Sequence, residues 1–182
     1  MKTTRILFIR HGKKKNEEHD SPLDKFGEKQ ANELGKFLKK IKINEFYCSD
    51  LKRAKKTSEI VSKHIKLKPK IVKALNEFEI GHMRHGFKGF PKRDQEHFRK
   101  LNEFLDKITK NPNEEKIILI ISHGYTNRFI FSKFLKINHK KTLPFMQHET
   151  GINEVYWTKK YKNWRLEKWN DIEHLPKSLR EK

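Results

Sequence analysis

"RILFIRHG", residues 5–12, decides how the rest of the chain is read. Its apolar run, Ile6-Leu7-Phe8-Ile9, stops abruptly on Arg10, His11 and Gly12. A short unbroken apolar run of this kind reads as a strand covered on both faces, as in a parallel sheet packed between helices. "KIILIIS", residues 116–122, has the same character and runs into His123-Gly124. Open α/β sheets bind ligands beyond the carboxyl ends of their strands. Two buried strands that both end beside a His-Gly pair therefore mark that edge of the sheet.

Working outward, strands and helices alternate. "DKFGEKQANELGKFLKKI" (24–41) places Phe26, Ala31, Leu34, Phe37, Leu38 and Ile41 on one helical face. "NEFYCS" (44–49) reads as a second strand, and "DLKRAKKTSEIVSKHI" (50–65) as a second amphipathic helix. "KIVKAL" (70–75) is a third strand candidate, residues 92–110 and "NRFIFSKFLKI" (127–137) read as helices, and "INEVYW" with "NWRLEKW" as a terminal hairpin turning at Lys160–Asn163. The expectation is an α/β three-layer sandwich, with a mostly parallel central sheet and helices on both faces. A single domain spans 1–182, with a short cap or substrate loop at about 78–100.

The chain has 182 residues, enough for one domain with a sizeable core, and a net charge of +20. Such a field concentrates anions, so phosphorylated small molecules and nucleic acid both qualify as partners. Lysines decorating solvated faces account for the same number without a partner. One cysteine, Cys48, rules out an internal disulfide and a cysteine-based zinc site. No early segment resembles a signal peptide, and no stretch has the ~20 apolar residues of a membrane span. A cytoplasmic protein without membrane contact is expected.

The strand-end rule brings Arg10, His11, Ser49 and His123 toward one crevice. Arg53 stands early in the helix after the second strand, and Glu77 follows the third strand candidate. Two guanidiniums suit phosphate oxygens. Two histidines and one carboxyl group supply a nucleophile, a cation and a proton carrier, the equipment of phosphoryl transfer through a covalent intermediate. A second Arg-His-Gly, Arg84-His85-Gly86, lies in the glycine-containing stretch "GHMRHGFKG" (81–89) and follows no strand. The first copy is the better reaction centre. No HExxH occurs, so no metal and no cofactor are expected.

"RILFIRHG" (5–12), "DSPLDKFGEKQANELGKFL" (20–38), "SDLKRAKKTSEI" (49–60), "LNEFEIG" (75–81) and "IISHG" (120–124) resemble, in order, the motifs of the histidine phosphatase superfamily. That group includes cofactor-dependent phosphoglycerate mutases and many small phosphatases. The likeness runs from about residue 5 to 136, and "WNDIEHL" (169–175) resembles a common ending. The resemblance implies that His11 attacks phosphorus and that Arg10 and Arg53 grip the non-bridging oxygens. His123 then donates to the phosphoryl group and Glu77 protonates the departing alcohol. Asn16 and Gly124 are further phosphate-binding candidates. The chain departs from the family's usual pattern twice. Asn16 comes five residues after the histidine, through Lys13–Lys15, and Met83-Arg84-His85 stands where Trp-Glu-Gly is common. Arg84 and His85 fall in substrate-facing loop territory, where they read either as a solvated loop or as contacts to a substrate's distal part.

Three functions follow from this. The first is a metal-independent phosphomonoesterase acting through a phosphohistidine on a small anionic substrate and releasing inorganic phosphate. The second is a phosphoglycerate-mutase-type transfer. The third is a basic nucleic-acid or acidic-protein binding module that retains the fold. Only 45 residues separate Glu77 from His123, too few for a large capping insertion, which favours the phosphatase.

Overall fold

The computed structural model describes residues 2–78 and 92–180. In chain order these contain β1 (Lys2–Arg10), α1 (Lys25–Leu38), β2 (Glu45–Cys48), α2 (Lys52–Ile65) and β3 (Lys70–Ile71). After them come α3 (Lys92–Ile108), β4 (Lys116–Ser122), α4 (Gly124–Leu135), β5 (Ile152–Thr158) and β6 (Asn163–Asp171). The strands form a sheet in the order β3-β2-β4-β1-β5-β6. β1 to β4 run parallel to one another, β5 runs antiparallel to β1, and β6 antiparallel to β5.

The apolar runs are continuous because both faces of the sheet are covered. Along a strand, successive side chains point to opposite faces. Ile6, Phe8, Ile118 and Ile120 join a core with Leu101 and Leu105 of α3 and Phe129, Ile130 and Phe134 of α4. Leu7, Ile9, Leu119 and Ile121 join a second core with Leu34 and Leu38 of α1 and Ala54 and Val61 of α2. Thus the expected three-layer α/β sandwich is present. Among the described residues, no helix is long and apolar enough to cross a membrane.

Three boundaries differ from the sequence reading. The third strand is only two residues long, because at Lys73–Leu75 the chain turns into a 3-10 helix that buries Leu75. Leu75's carbonyl there accepts from Ser122 Oγ at 2.7 Å, tying this turn to the end of β4. α4 begins at Gly124 rather than Asn127, since Thr126, Asn127 and Arg128 are buried despite their polarity. The segment expected as a cap at 78–100 is helix α3 from Lys92 onward. Residues 79–91, including Arg84 and His85, lie outside the described residues.

Candidate active site

The site is assembled by strand register. Arg10 of β1 pairs with Ser122 of β4, and Ile121 of β4 pairs with Cys48 of β2. The ladder continues one step: His11 N–H donates to Ser122 O at 3.0 Å and Ser49 N–H to Ile121 O at 3.1 Å. His11, His123 and Ser49 therefore emerge side by side at the carboxyl edge. The imidazoles of His11 and His123 meet edge to face, with centroids 5.0 Å apart.

Close packing aims the loop that follows. A Cβ on Gly12 would stand 2.5 Å from Gly27 O, and one on Gly27 would stand 2.2 Å from Lys13 O. Only two glycines let the loop press this tightly against α1. Gly12 N–H also donates to Thr57 Oγ1 at 3.1 Å, and that hydroxyl donates to Arg53 O at 2.8 Å. This latch to α2 brings Arg53 beside His11.

The tautomer of His11 follows from its neighbours. Nδ1 lies 2.7 Å from Gly12 O, which can only accept, so Nδ1 carries the proton. Arg53 Nε donates to His11 Nε2 at 2.9 Å, so Nε2 presents a lone pair. Burial, then the charges of Arg10 and Arg53, hold the His11 pKa well below 6.5, opposed by the Gly12 carbonyl. A neutral imidazole with its outer nitrogen unprotonated is the nucleophilic form.

Arg10 is braced by the segment that leads into β5. Its Nη1 donates to Gln147 O at 2.6 Å, and Nη2 pairs with Glu149 at 2.7 Å. Arg53 Nη1 donates to His19 O at 2.6 Å. His123 is buried, with Nε2 2.8 Å from Ser49 Oγ. Its pKa is lowered well below 6.5 by burial, then by His11, Arg53 and Arg10. Glu77 is carried past the 3-10 turn to the start of α4, where its Oε1 accepts from Thr126 N–H at 3.2 Å. Desolvation raises its pKa above 4.5, against the pull of that N–H and of Arg53 and Arg10. A carboxyl group with a raised pKa and a neutral imidazole in one site can divide the work of acid and nucleophile between them.

A cleft of about 470 Å³ opens beside these residues, lined by Arg10, Glu77, Gly124, Tyr125, Arg128 and Gln147, with Leu143 and Met146 completing it. Arg128, one helical turn beyond Gly124, stacks its guanidinium on the Tyr125 ring at 4.8 Å and donates through Nε to Phe145 O. Among the described residues, no carboxylate forms an ion pair with it. Nor is any group of three or more His, Cys, Asp or Glu placed to hold a metal ion.

The structure thus brings Arg10, His11, Arg53, Glu77, His123 and Gly124 together; a Cβ on Gly124 would sit 3.9 Å from Arg10 Nε. Asn16 is placed differently. It is exposed on the loop, and its Oδ1 accepts from Glu18 N–H at 3.2 Å. Sequence reasoning missed Asn76, Gln147, Glu149 and Arg128 as members of the cluster. "HET" at 148–150 is unremarkable as a motif; only the β1–β5 pairing, with Thr150 N–H on Arg10 O at 3.0 Å, reveals Glu149 as a partner of Arg10.

Comparison with known proteins agrees with this geometry. The model of the histidine phosphatase superfamily (branch 1) matches residues 6–100 and 89–172. A broad-specificity phosphatase of Saccharomyces cerevisiae is 24% identical over 201 residues, covering 94% of this chain and 87% of its own. The uncharacterized phosphatase PhoE of Bacillus subtilis is 23% identical, covering 94% of this chain and 97% of its own. Among solved structures, a phosphoserine phosphatase mutant from Entamoeba histolytica bound to phosphoserine superposes with a TM-score of 0.76. It is 19% identical and covers 96% of this chain and 100% of its own. A mycobacterial glucosyl-3-phosphoglycerate phosphatase with inorganic phosphate gives 0.75 at 15% identity, covering 94% and 99%. With a family model spanning most of its length and the strand-edge histidines and arginines in one cluster, this chain belongs to the histidine phosphatase superfamily, branch 1.

Proposed function

We propose that this phosphatase hydrolyses monoesters of small anionic molecules through a covalent phosphohistidine at His11. The observation that carries the proposal is the pinned tautomer of His11, Nδ1–H on Gly12 O and Nε2 facing a guanidinium. A phosphoryl dianion entering the site draws Arg53 onto its oxygens, which uncovers the Nε2 lone pair. Nε2 attacks phosphorus in line, the P–N bond forms, and the P–O bond to the leaving group breaks. Arg10 and Arg53 neutralise the non-bridging oxygens, and such preorganised charge is usually the largest catalytic contribution. His123 donates to the same group. Glu77 passes its proton to the departing alkoxide, then accepts one from the water that attacks the phosphohistidine. Inorganic phosphate leaves and both residues return to their starting states.

Support for an anionic substrate comes from Arg128, a cation on the cleft wall with no carboxylate partner among the described residues, and from proteins of the same fold whose structures hold phosphoserine, 3-phosphoglyceric acid and inorganic phosphate. Hydrolysis is favoured over mutase chemistry because α3 and β4 take up most of the chain between Glu77 and His123 and pack into the core. The proteins compared above are phosphatases, and the nucleic-acid reading of the charge gains nothing from them.

A panel of phosphomonoesters tests the reading. Release of inorganic phosphate should be faster from esters whose alcohol carries a further anionic group than from neutral aryl phosphate. Phosphoryl transfer to an added phosphoglycerate in preference to water would overturn it in favour of a mutase.

A further inference from the structure

The hydrogen-bond directions around Ser49 leave no freedom. Asp50 presents a backbone N–H and a carboxylate, and Asn76 meets both. The N–H donates to Asn76 Oδ1 at 3.1 Å, and Asn76 Nδ2 donates to Asp50 Oδ1 at 2.6 Å. The amide is thereby oriented with Oδ1 toward Ser49. Ser49 Oγ lies 2.8 Å from that oxygen and has to donate to it, because an amide oxygen only accepts. A hydroxyl has a single proton. Toward His123 Nε2, Ser49 is left as an acceptor, the role it also fills for Leu51 N–H at 3.2 Å. His123 therefore carries its proton on Nε2, and its Nδ1 is buried with no hydrogen-bond partner among the described residues.

This tautomer is mismatched to a phosphoryl oxygen, which has only lone pairs to offer. Neutral His123 meets it with a second lone pair; the imidazolium, with N–H at both positions, meets it with a donor. We propose that Ser49, oriented by Asn76, is a positioning residue that couples anion binding to proton uptake: as a phosphoryl dianion arrives, His123 gains a proton at Nδ1 while its Nε2–H stays on Ser49. The inference rests on the reading of His123 as a phosphoryl-group donor. The groups around the ring are His11 and Arg10 at the end of β1, Arg53 on α2 and His19 of the intervening loop. Among the described residues, the acidic members of the cluster are Glu77, against the first turn of α4, and Glu149, paired with Arg10; Asp50 reaches the ring through Asn76 and Ser49. Burial, then His11, Arg53 and Arg10, keep His123 neutral. A dianion reverses the local balance of charge. Affinity for a dianion should then fall ~10-fold per pH unit between the free and bound pKa values of His123.

The test uses the full chain and sulfate, whose own charge is constant across neutral pH. Calorimetric titration in two buffers of different ionisation enthalpy counts the protons taken up. The wild type should take up about one proton per sulfate, and so should Ser49→Thr, which keeps the hydroxyl. Glu77→Gln should do the same, which separates the proton from the carboxyl group. Ser49→Ala should lose the uptake and bind sulfate ~10-fold more weakly. In Asn76→Leu the freed hydroxyl can turn and donate to Nε2, so sulfate should bind without a proton and with little pH dependence. Absent sulfate binding, binding by the wild type without uptake, or unchanged uptake in both Ser49→Ala and Asn76→Leu would overturn the proposal. Sulfate binding requires no catalysis. Proton uptake in a protein that hydrolyses no phosphomonoester would sink the functional reading alone, and turnover without uptake would sink only this one.

Discussion

Arg53 Nε donates to His11 Nε2 across 2.9 Å, so a cation sits on the lone pair to which the proposed mechanism assigns the attack on phosphorus. Both partners are buried; burial, then the charges of Arg10 and Arg53, hold His11 neutral, and in the proposed mechanism an arriving anion draws the guanidinium off Nε2.

Removing that guanidinium has two separable effects. Arg53→Ala should lower kcat/KM by ~10²–10³-fold, the scale of losing a preorganised donor to developing charge, and should weaken inhibition by vanadate. It should also raise the His11 pKa toward the ordinary 6.5, because one of its depressing charges is gone. Inhibition assays and an NMR titration of the imidazole signals check the pair. Unchanged vanadate inhibition would show that Arg53 serves only the fold.

The raised pKa of Glu77 fits it to protonate a poor leaving group. Glu77→Gln should slow alkyl phosphates by ~10²–10⁴-fold and p-nitrophenyl phosphate far less, since nitrophenolate departs without a proton. Steady-state kinetics on both substrates decide it. An equal loss on both would remove Glu77 from the acid's role.

Arg128 places on the cleft wall a charge that no carboxylate among the described residues pairs with. Arg128→Gln should raise KM ~10-fold for phosphomonoesters carrying a carboxylate or second phosphate, the scale of one charged hydrogen bond. The KM for p-nitrophenyl phosphate should hardly move. Equal KM changes for both kinds of substrate would mean that Arg128 acts only on packing.

Gly12 has no room for a side chain against Gly27 O. Gly12→Ala should cost about 1–3 kcal/mol of stability, the usual price of overpacking, and should displace His11 from Arg53. A thermal melt and a kcat measurement test this. A variant with wild-type melting and turnover would contradict the close approach.

Much of this was legible in the chain because burial on both faces leaves a continuous apolar imprint. Ile6–Ile9 and Ile117–Ile121 announce covered parallel strands, and their ends locate the reactive edge. Helices α1 and α2 followed from their apolar stripes. The short β3 was not legible, since "KIVKAL" fits a strand as well as it fits a strand entering a 3-10 turn. Glu77 stood out as the carboxylate after the third strand candidate, but its role as the acid came through family likeness, as nothing local in "NEFE" distinguishes one carboxylate from another. The bracing of Arg10 by Gln147 and Glu149, and of His123 by Ser49 and Asn76, joins residues far apart in the chain. No spacing rule encodes such contacts. Asn16 shows the reverse: a motif position whose carbonyl oxygen, in this loop, is spent on Glu18 N–H.

The covalent step is the claim on which the mechanism turns. Rapid acid-free quenching of the enzyme with a ³²P-labelled phosphomonoester, followed by acid and base treatment of the protein, reads it directly. The account predicts a label that is stable to base, released by acid, absent from His11→Ala and retained in His85→Ala. A wild-type protein that turns over substrate without ever carrying such a label, or a label that survives His11→Ala, would contradict it.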